Sequence, residues 1–377
     1  KVLSELAVLF NSKNIEKNFF DSKKIRHVLS EYHIPCAGIC FDIGIADYLI
    51  NPDSNRTFST LIQKYNLDTI NLDLLNTSLE KDRVSYLIEA ARILIKIKSQ
   101  QKILLKENNL MNLFYNIELP LVNVLCNMEQ NGISLDTDLL NQYSNVLNKE
   151  IDKLEGQIYN FANEKFNIGS PKQLGDILFN KMKLSEKPKK TKSGQFATGE
   201  SELIKLKDHH PIIESILLFR TYNKLLSTYV NALPLLINSV DRKIHTTFNQ
   251  TVASTGRLSS SNPNLQNIPI RRQSGKDVRK AFVPSNKEHI LMCADYSQIE
   301  LRLIAEFSKE DNMIDAFLNN EDIHTTTASK VFQVNISEVT KEMRSNAKVV
   351  NFGIIYGVSA FGLSEQSSLN RREAANL

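Results

Sequence analysis

The sequence has no long hydrophobic run. A membrane-spanning helix needs about 18 or more consecutive apolar residues, and no stretch of the 377 residues approaches this. Residues 1–5 also lack the basic segment, followed by an apolar core, that is typical of a secretory signal. We therefore expect a cytoplasmic protein without a membrane partner.

Cysteine is scarce as well, and the charges are nearly balanced. The four cysteines, Cys36, Cys40, Cys126 and Cys293, are too few and too scattered for a disulfide framework. A lone C-x3-C pair is weak evidence for zinc, so we expect thiols in the core. The formal net charge of +4 excludes a polycation, and any acidic partner must therefore meet a local basic surface.

The length and composition indicate a globular protein with more than one domain. A chain of 377 residues exceeds one ordinary core and predicts roughly two or three domains. Hydrophobic residues at 42% and charged residues at 23% exclude a disordered or fibrous protein. Residues 370–377 have helical character without a cap or a stopping glycine, so we expect a piece of a longer polypeptide.

Apolar residues recur at helical spacing in several segments. The pattern predicts helices over residues 24–32, 82–98, 136–161 and 212–236, the third of them capped by Asp or Asn. One face of the second helix carries Tyr86, Ala90, Ile93 and Ile97. The pattern of apolar residues is interrupted and begins again near residue 118, which indicates a domain boundary there.

A basic segment follows the third predicted helix. Six lysines lie between residues 181 and 192, with Pro188 among them and Gly194 nearby, which predicts a loop. A solvated charge run is the commoner explanation of such a segment. The neighbouring motifs favour contacts with a phosphate backbone instead, through Lys187, Lys189 and Lys190.

A predicted strand over residues 243–252 leads into a polar segment, 255–271, that reads TGRLSSSNPNLQNIPIR. Gly256 and two prolines interrupt its backbone. Its neutral and cationic donors suit contacts with nucleic acid, although composition alone favours an ordinary polar loop. These donors are Arg257, Asn264, Gln266, Asn267 and Arg271.

An acidic residue follows the apolar stretch 290–294, which we predict to be a strand. Asp295 would then stand at the carboxyl end of this strand, and a short turn would carry Gln298, Glu300 and Arg302 into a helix. Such an arrangement is typical of a metal-binding carboxylate.

A third motif lies near the end of the chain. Arg344, Lys348, Phe352 and Tyr356 are spaced by four residues, so on a helix they drift by only about 40° per step and form one slanting stripe. A stripe at this spacing is usually apolar core, but cations on the same face make burial a poor explanation. The stripe fits a nucleoside triphosphate, with its phosphates at the cations and its base near the aromatic rings.

These three motifs resemble those of family-A DNA polymerases, and they occur in the family's order. The eight residues from Asp295 to Arg302 match the family's string completely, and TGRLSS-x-x-PNLQNIP-x-R and R-x3-K-x3-F-x3-YG match its other two signatures. The resemblance runs from about Phe41 to the end of the chain and is dense over 245–364.

The resemblance implies a role for each residue of the nucleotide site. Arg344 would hold the phosphates, Lys348 would neutralise or protonate the departing pyrophosphate, and Tyr356 would guard the base-pair site. Further nucleotide contacts would come from Arg271 near the phosphates, Gln298, His324, Phe352, and Glu300, which would exclude ribonucleotides at the sugar 2′ position. By itself a lone His is more often structural, so His324 carries less weight.

The resemblance also implies the partners and the metal. Arg257, Asn264, Gln266 and Asn267 would contact the primer-template duplex. Asp295 and the carbonyl of Tyr296 would be ligands of Mg²⁺, the hard cation that two-metal phosphoryl transfer requires. The expected partners are primer-template DNA and deoxynucleoside triphosphates, and the protein is expected to be monomeric and nucleoid-associated.

The sequence departs from the family in two places. The family's second metal carboxylate lies in a His-Asp-Glu string, which does not occur in these 377 residues, so we expect this chain alone to be inactive. A segment at 41–52 resembles the proofreading exonuclease fold, but that fold's Asn-x3-Asp pattern reads Asp21 to Ile25 and its Tyr-x3-Asp pattern reads Tyr86 to Ala90. We therefore expect proofreading to be absent.

The expected fold class is α/β and α+β multidomain: a ribonuclease H-like exonuclease remnant, then a right-hand polymerase thumb, palm and partial fingers. The predicted limits are 1–118 for the remnant, 119–240 for palm entry and thumb, 241–310 for the palm and 311–377 for the fingers. Two other functions stay open, a non-catalytic DNA-binding module and a 3′–5′ exonuclease. Template preference also stays open, because RNA-templated and phage-type polymerases share parts of these motifs.

Overall fold

The computed structural model describes residues 2–67, 80–269 and 273–366, together with Arg372 and Ala374. The chain divides into two compact units, Lys1–Leu291 and Met292–Leu377. None of the described helices is both long and apolar enough to cross a membrane.

The first part of the first unit surrounds a short parallel pair of strands. Strand β1 pairs with β2, with Asn18 opposite Phe41. Asp21 and Asp42 cap the helices that follow the two strands, each through its carboxylate. The elements are α1 (Val2–Asn11), β1 (Lys17–Phe19), α2 (Ser22–Glu31), β2 (Ile39–Asp42), α3 (Ile43–Ile50), α4 (Phe58–Lys64) and α5 (Glu80–Glu107).

Helix α5 covers this part of the molecule and contains the predicted helix 82–98. Its predicted apolar face is confirmed, because Tyr86, Ile93 and Ile97 are buried. Ile97 joins a core that also contains Phe41 and Phe114, whose rings lie 4.8 Å apart. Complete burial of side chains of this size stabilises the fold by about 1.5–3 kcal/mol each.

A continuous helical segment crosses the predicted boundary near residue 118. It consists of α6 (Met111–Leu113), a π-helical turn (Phe114–Glu118) and α7 (Leu119–Asn131). Gly132 ends it at φ +57°, where a β-carbon would lie 2.8 Å from the carbonyl oxygen of Ile244. Only glycine fits a turn that is both left-handed and this close to a neighbouring backbone.

The rest of the first unit is built on the long helix α8, which begins where it is predicted. Asp136 caps it by accepting a hydrogen bond from the Leu139 amide at 2.9 Å. Helix α8 packs against α11, and Leu140 and Leu147 enter the shared core with Leu225 and Val230. The elements are β3 (Ile133–Leu135), α8 (Thr137–Ala162), α9 (Pro171–Gly175), a π turn (Asp176–Lys181), α10 (Glu200–Ile204), α11 (Ile212–Leu225), a π turn (Leu226–Val230) and a 3₁₀ turn (Leu233–Leu236).

The strand predicted over 243–252 is divided in two. Strand β4 (Lys243–Ile244) joins a three-stranded antiparallel sheet in the order β4-β3-β7, whereas β5 (Thr247–Asn249) forms a hairpin with β6 (Ser259–Ser261). The break falls where His245 and Thr246 bond to other parts of the chain, His245 to the carbonyl oxygen of Glu129 and Thr246 to Ser260. Helix α12 (Gln273–Lys280) and β7 (Phe282–Val283) complete this region.

In the described residues of the second unit, all of the regular secondary structure is helical. Helix α15 packs against α16, and α13 packs against α14. The elements are α13 (Ile299–Ser308), α14 (Asp311–Leu318), α15 (Ile323–Phe332), a 3₁₀ turn (Ile336–Glu338), α16 (Lys341–Ile355) and α17 (Ala360–Gln366).

The predicted strand at 290–294 is wrong. Residues 289–296 have no regular structure, and Ile290 and Met292 are 88% and 83% exposed. A strand needs a neighbour for its backbone hydrogen bonds, and no described segment pairs with this one. Cys293 lies in the same stretch and is exposed, so the expectation of a core thiol fails there, whereas Cys36 and Cys126 are buried.

Candidate nucleotide site and nucleic-acid interface

Asp295 lies in the exposed, irregular segment that precedes α13. Its neighbour Tyr296 is 81% exposed. Gln298 then takes a left-handed conformation at φ +53° and stands immediately before the first residue of α13. Among the described residues, no group of three or more His, Cys, Asp or Glu side chains is placed to hold a metal ion. The segment thus offers one carboxylate and one backbone carbonyl, both of them hard oxygen donors.

Asp322 connects the two central helices of the second unit. Its Oδ1 accepts a hydrogen bond from the backbone amide of His324 and caps α15, while its Oδ2 accepts one from Arg344 Nε on α16 at 2.5 Å. Burial is the largest single effect on this carboxyl and opposes its ionisation. The hydrogen bonds from Arg344 and from the backbone amides of the following turn, together with the positive charge of Arg344, outweigh burial and lower the pKa of Asp322. Arg344 is therefore already oriented by a charged partner, a contact that sequence reasoning missed.

His324, whose backbone amide donates to Asp322, is only 3% exposed. Its Nδ1 is 3.2 Å from the side-chain nitrogen of Asn351, which also donates to the hydroxyl of Thr327. Burial, helped by the positive charges of Arg344 and Lys348, lowers the pKa of His324 from its ordinary value. The imidazole is therefore neutral near pH 7.

The predicted stripe lies along α16 and reaches one residue beyond its end. Arg344 and Lys348 are exposed, and the rings of Phe352 and Tyr356 stack with centroids 6.4 Å apart and planes 15° from parallel. The ring of His324 is 5.9 Å from that of Phe352. Helix α16 and the residue after it thus carry two cations followed by two aromatic rings, in the order that the spacing predicts.

Glu300 approaches the same aromatic rings from α13. The hydroxyl of Tyr356, which is 62% exposed, donates a hydrogen bond to Glu300 Oε2 at 3.1 Å. Two residues separated by 56 positions, both predicted for the nucleotide site, are therefore in contact. The structure brings Glu300, Arg344, His324, Phe352 and Tyr356 into one part of the second unit.

The predicted duplex-contacting residues lie on and just after the hairpin of β5 and β6 in the first unit. Arg257, Asn264, Gln266 and Asn267 are exposed. Leu265, between Asn264 and Gln266, packs into the core, as does Ile268 after Asn267. The hydroxyl of Tyr229 donates to the carbonyl oxygen of Asn267 at 2.6 Å. The polar side chains therefore face solvent from an anchored backbone. Arg271, predicted to lie near the phosphates, falls outside the described residues.

Ser260, at the centre of the serine run, was missed as a structural residue. It is 3% exposed, contacts the hydroxyl of Thr246 at 2.7 Å and accepts a hydrogen bond from the amide of Leu265 at 3.0 Å. This side chain ties β6 to the segment that carries Asn264 and Gln266. The sequence offers no signal for it, because all three residues of β6 are serine.

The lysine-rich segment forms a loop, as predicted, and its three named lysines differ in their surroundings. Lys187 is exposed. Lys189 forms an ion pair with Glu202 at 3.3 Å, and the amino group of Lys190 lies 5.5 Å from the centre of the Phe196 ring. Part of the positive charge of this loop is therefore offset within the protein.

Comparisons with known proteins identify the family of this chain. The family model for DNA polymerase family A matches residues 137–377, and the model for the ribonuclease H-like domain of DNA polymerase I matches residues 3–75. The chain therefore belongs to DNA polymerase family A. It is a helix-rich α/β protein in which a ribonuclease H-like exonuclease domain precedes a polymerase domain.

Individual relatives support this assignment. The chain is 45% identical over 359 residues to the DNA polymerase I of Caldicellulosiruptor bescii, covering 95% of this chain and 41% of that protein. It is 42% identical over 371 residues to the DNA polymerase I of Bacillus subtilis, covering 95% and 42%. The chain thus spans about two-fifths of the length of these curated relatives.

A solved structure matches nearly the whole chain. The POL domain of Pol1 from M. smegmatis, in complex with DNA primer-template and dNTP, superposes with a TM-score of 0.86 at 34% identity. The match covers 98% of this chain and 63% of that one.

Proposed function

We propose that this chain is part of a DNA-directed DNA polymerase of the DNA polymerase I type, which acts as a monomer on primer-template DNA in the cytoplasm. The observation that carries the proposal is the cluster in the second unit, where Arg344, His324, Phe352, Tyr356 and Glu300 lie together. The reaction is attack of a primer 3′-hydroxyl oxygen on the α-phosphorus of a deoxynucleoside triphosphate, with pyrophosphate leaving.

The cluster suits this substrate because positively charged side chains along α16 are followed by aromatic ones. Arg344 and Lys348 supply positive charge and hydrogen-bond donors to phosphate oxygens. The stacked rings of Phe352 and Tyr356 offer an aromatic surface to the base. Glu300, which accepts a hydrogen bond from Tyr356, is proposed to contact the sugar and to reject a 2′-hydroxyl. Gln298 stands two residues before it, at the start of α13.

The metal site is proposed to be only partly present in this chain. Asp295 and the carbonyl of Tyr296 have the oxygen donors that Mg²⁺ prefers, and they fit one side of such a site. Bound Mg²⁺ supplies the positive charge that stabilises the oxygens of the transferring phosphoryl group. The His-Asp-Glu string that carries the family's second metal carboxylate does not occur in these 377 residues.

A primer-extension assay tests the proposal. We expect no extension by the 377-residue chain and extension by a longer polypeptide that includes the His-Asp-Glu string, with Asp295→Asn abolishing the activity of the longer polypeptide. Extension by the 377-residue chain alone contradicts the proposed partial site. A longer polypeptide that binds duplex DNA without extending it favours a non-catalytic binding module.

We further propose that the ribonuclease H-like domain does not proofread. The acidic side chains near its strands serve the fold: Asp21 and Asp42 cap helices, and the buried Asp47 contacts Lys64 at 2.5 Å. The exonuclease pattern has Ala90 where a carboxylate is required. Digestion of single-stranded DNA in the presence of Mg²⁺ is the corresponding assay, and measurable digestion contradicts this proposal.

A further inference from the structure

The ribonuclease H-like domain holds the loop that carries Arg257. This loop, residues 250–258, connects β5 to β6 and is called the hairpin loop below. The Tyr48 hydroxyl donates a hydrogen bond to the carbonyl oxygen of Ala253 at 2.6 Å and accepts one from the amide of Gly256 at 3.0 Å. A single side chain, 3% exposed, thus bonds to both sides of the bend that precedes Arg257.

Arg56 adds a second contact from the same domain. Its Nη1 donates to the carbonyl oxygen of Thr251 at 2.8 Å, and its guanidinium lies 5.1 Å from the centre of the Tyr48 ring. Arg56 is itself held by the carbonyl oxygen of Asn51 and by the carboxylate of Asp47 at 3.9 Å. The Arg56 side chain is 13% exposed, so this contact is largely sheltered from water.

The base of the hairpin is held in a similar way. Glu129 is 5% exposed and accepts hydrogen bonds from Lys23 at 2.5 Å and from the amide of Phe248 at 2.7 Å. Lys23 also donates to the carbonyl oxygen of Phe248. Gln250, at the start of the hairpin loop, donates to the carbonyl oxygen of Glu118 at 2.8 Å. The hairpin loop is therefore anchored at its base and at its bend.

We propose that Tyr48 and Arg56 are positioning residues for DNA binding: they order the hairpin loop so that Arg257 is presented to the primer-template duplex. The inference rests on the proposed function, because it takes Arg257 to be a duplex contact. Gly256, at φ +79°, gives the backbone before Arg257 many accessible conformations in the absence of these bonds. Ordering the loop before DNA arrives removes that entropic cost from binding.

Tyr48→Phe in the 377-residue chain tests the proposal, because it removes the hydroxyl and keeps the ring over Arg56. Affinity for a fluorescent primer-template duplex is measured by anisotropy. We expect the dissociation constant to rise by about fivefold or more, because the hydroxyl makes two hydrogen bonds to the loop and loss of one bond of ordinary net strength gives a factor of about five. Tyr32→Phe, at an exposed tyrosine of the same domain, is the matched control and should leave affinity unchanged.

A double-mutant cycle separates positioning from a general loss of structure. In an Arg257→Ala background, Tyr48→Phe should weaken binding no further, because the side chain that the loop presents is gone. Hydrogen exchange of the Gly256 amide should accelerate in Tyr48→Phe alone and not in Tyr32→Phe. Arg56→Lys, which keeps the charge but loses the fixed fork geometry, should weaken binding in the same direction.

The outcomes separate this inference from the proposed function. Unchanged affinity in Tyr48→Phe, or an equal loss with and without Arg257, overturns the positioning role while DNA binding through Arg257 stands. A 377-residue chain that does not bind duplex DNA overturns the proposed function, and the presentation of Arg257 with it.

Discussion

The hydroxyl of Tyr356 donates a hydrogen bond to Glu300 Oε2 at 3.1 Å, which joins the residue after α16 to the first turn of α13. The bond limits the conformations of both side chains, and the stacked ring of Phe352 limits those of Tyr356 further. The selectivity of the proposed nucleotide site should therefore depend on both ends of this bond.

Glu300→Ala in the longer polypeptide that includes the His-Asp-Glu string should increase incorporation of ribonucleotides relative to deoxyribonucleotides by about tenfold or more, because it removes the side chain that is proposed to contact the sugar. Tyr356→Phe should shift the ratio in the same direction but less, since Glu300 stays present and only its hydrogen bond with Tyr356 is lost. Competing extension reactions measure the ratio. Glu306→Ala, at an exposed residue of the same helix, is the control and should leave the ratio unchanged.

Stability should fall on acidification because of His324. Burial lowers the pKa of His324 below its ordinary value of 6.5, against the opposing effect of Asp322 and with the help of Arg344 and Lys348. As the pH falls through about 6.5, His324 of the unfolded chain takes up a proton that the folded chain does not. The contribution of His324 to the free energy of unfolding is therefore fully present above this pH and decreases below it.

Urea unfolding at about pH 7.5 and about pH 5.5 checks this effect. The drop in the free energy of unfolding between the two conditions should be smaller in His324→Gln than in the unchanged chain. His289→Gln, at an exposed histidine, should retain the full drop. An equal drop in all three chains would show that His324 takes up its proton in the folded state as readily as in the unfolded state.

The lysines of the 181–192 loop should contribute unequally to DNA binding. Lys187→Ala should weaken duplex binding and reduce the slope of log affinity against log salt by about one, the effect of one lost phosphate contact. Lys189→Ala should change the slope less, because its charge is already offset by Glu202 at 3.3 Å. Titrations over a series of salt concentrations measure both, and a larger effect at Lys189 contradicts this order.

Substitutions on the buried face of helix α8 should lower the free energy of unfolding, whereas substitutions on its exposed face should have little effect. Leu140→Ala should lower the free energy of unfolding by about 2–5 kcal/mol, because Leu140 is 1% exposed and its removal leaves a cavity. Val146→Ala, on the same helix at 54% exposure, should change it by about 0.5 kcal/mol or less. Denaturant unfolding of the two variants gives the comparison, and similar losses would contradict the burial pattern.

Sequence reasoning was accurate where the signal was local. Periodicity located α5 and α8, and the cap at Asp136 follows from its position before the first apolar turn. The stripe from Arg344 to Tyr356 also follows from helical geometry alone. These features depend on residues within a few positions of one another, so the order of residues is enough to predict them.

The strand predicted at 290–294 shows where local information fails. Its apolar residues suit a strand, but a strand forms only with a partner for its amides and carbonyls, and the described residues provide none. The same limit explains the division of the strand predicted at 243–252, since the bonds of His245 and Thr246 reach Glu129 and Ser260.

By itself, the sequence determined the family, the helices that periodicity defines and the residue types of the nucleotide and DNA sites. Only the tertiary structure decided which of these residues meet: Tyr356 with Glu300, Arg344 with Asp322, and Tyr48 with the loop before Arg257. The physical reason is distance along the chain. Tyr48 and Ala253 are 205 positions apart, and a hydrogen bond at that separation depends on how whole domains pack, which no local pattern encodes.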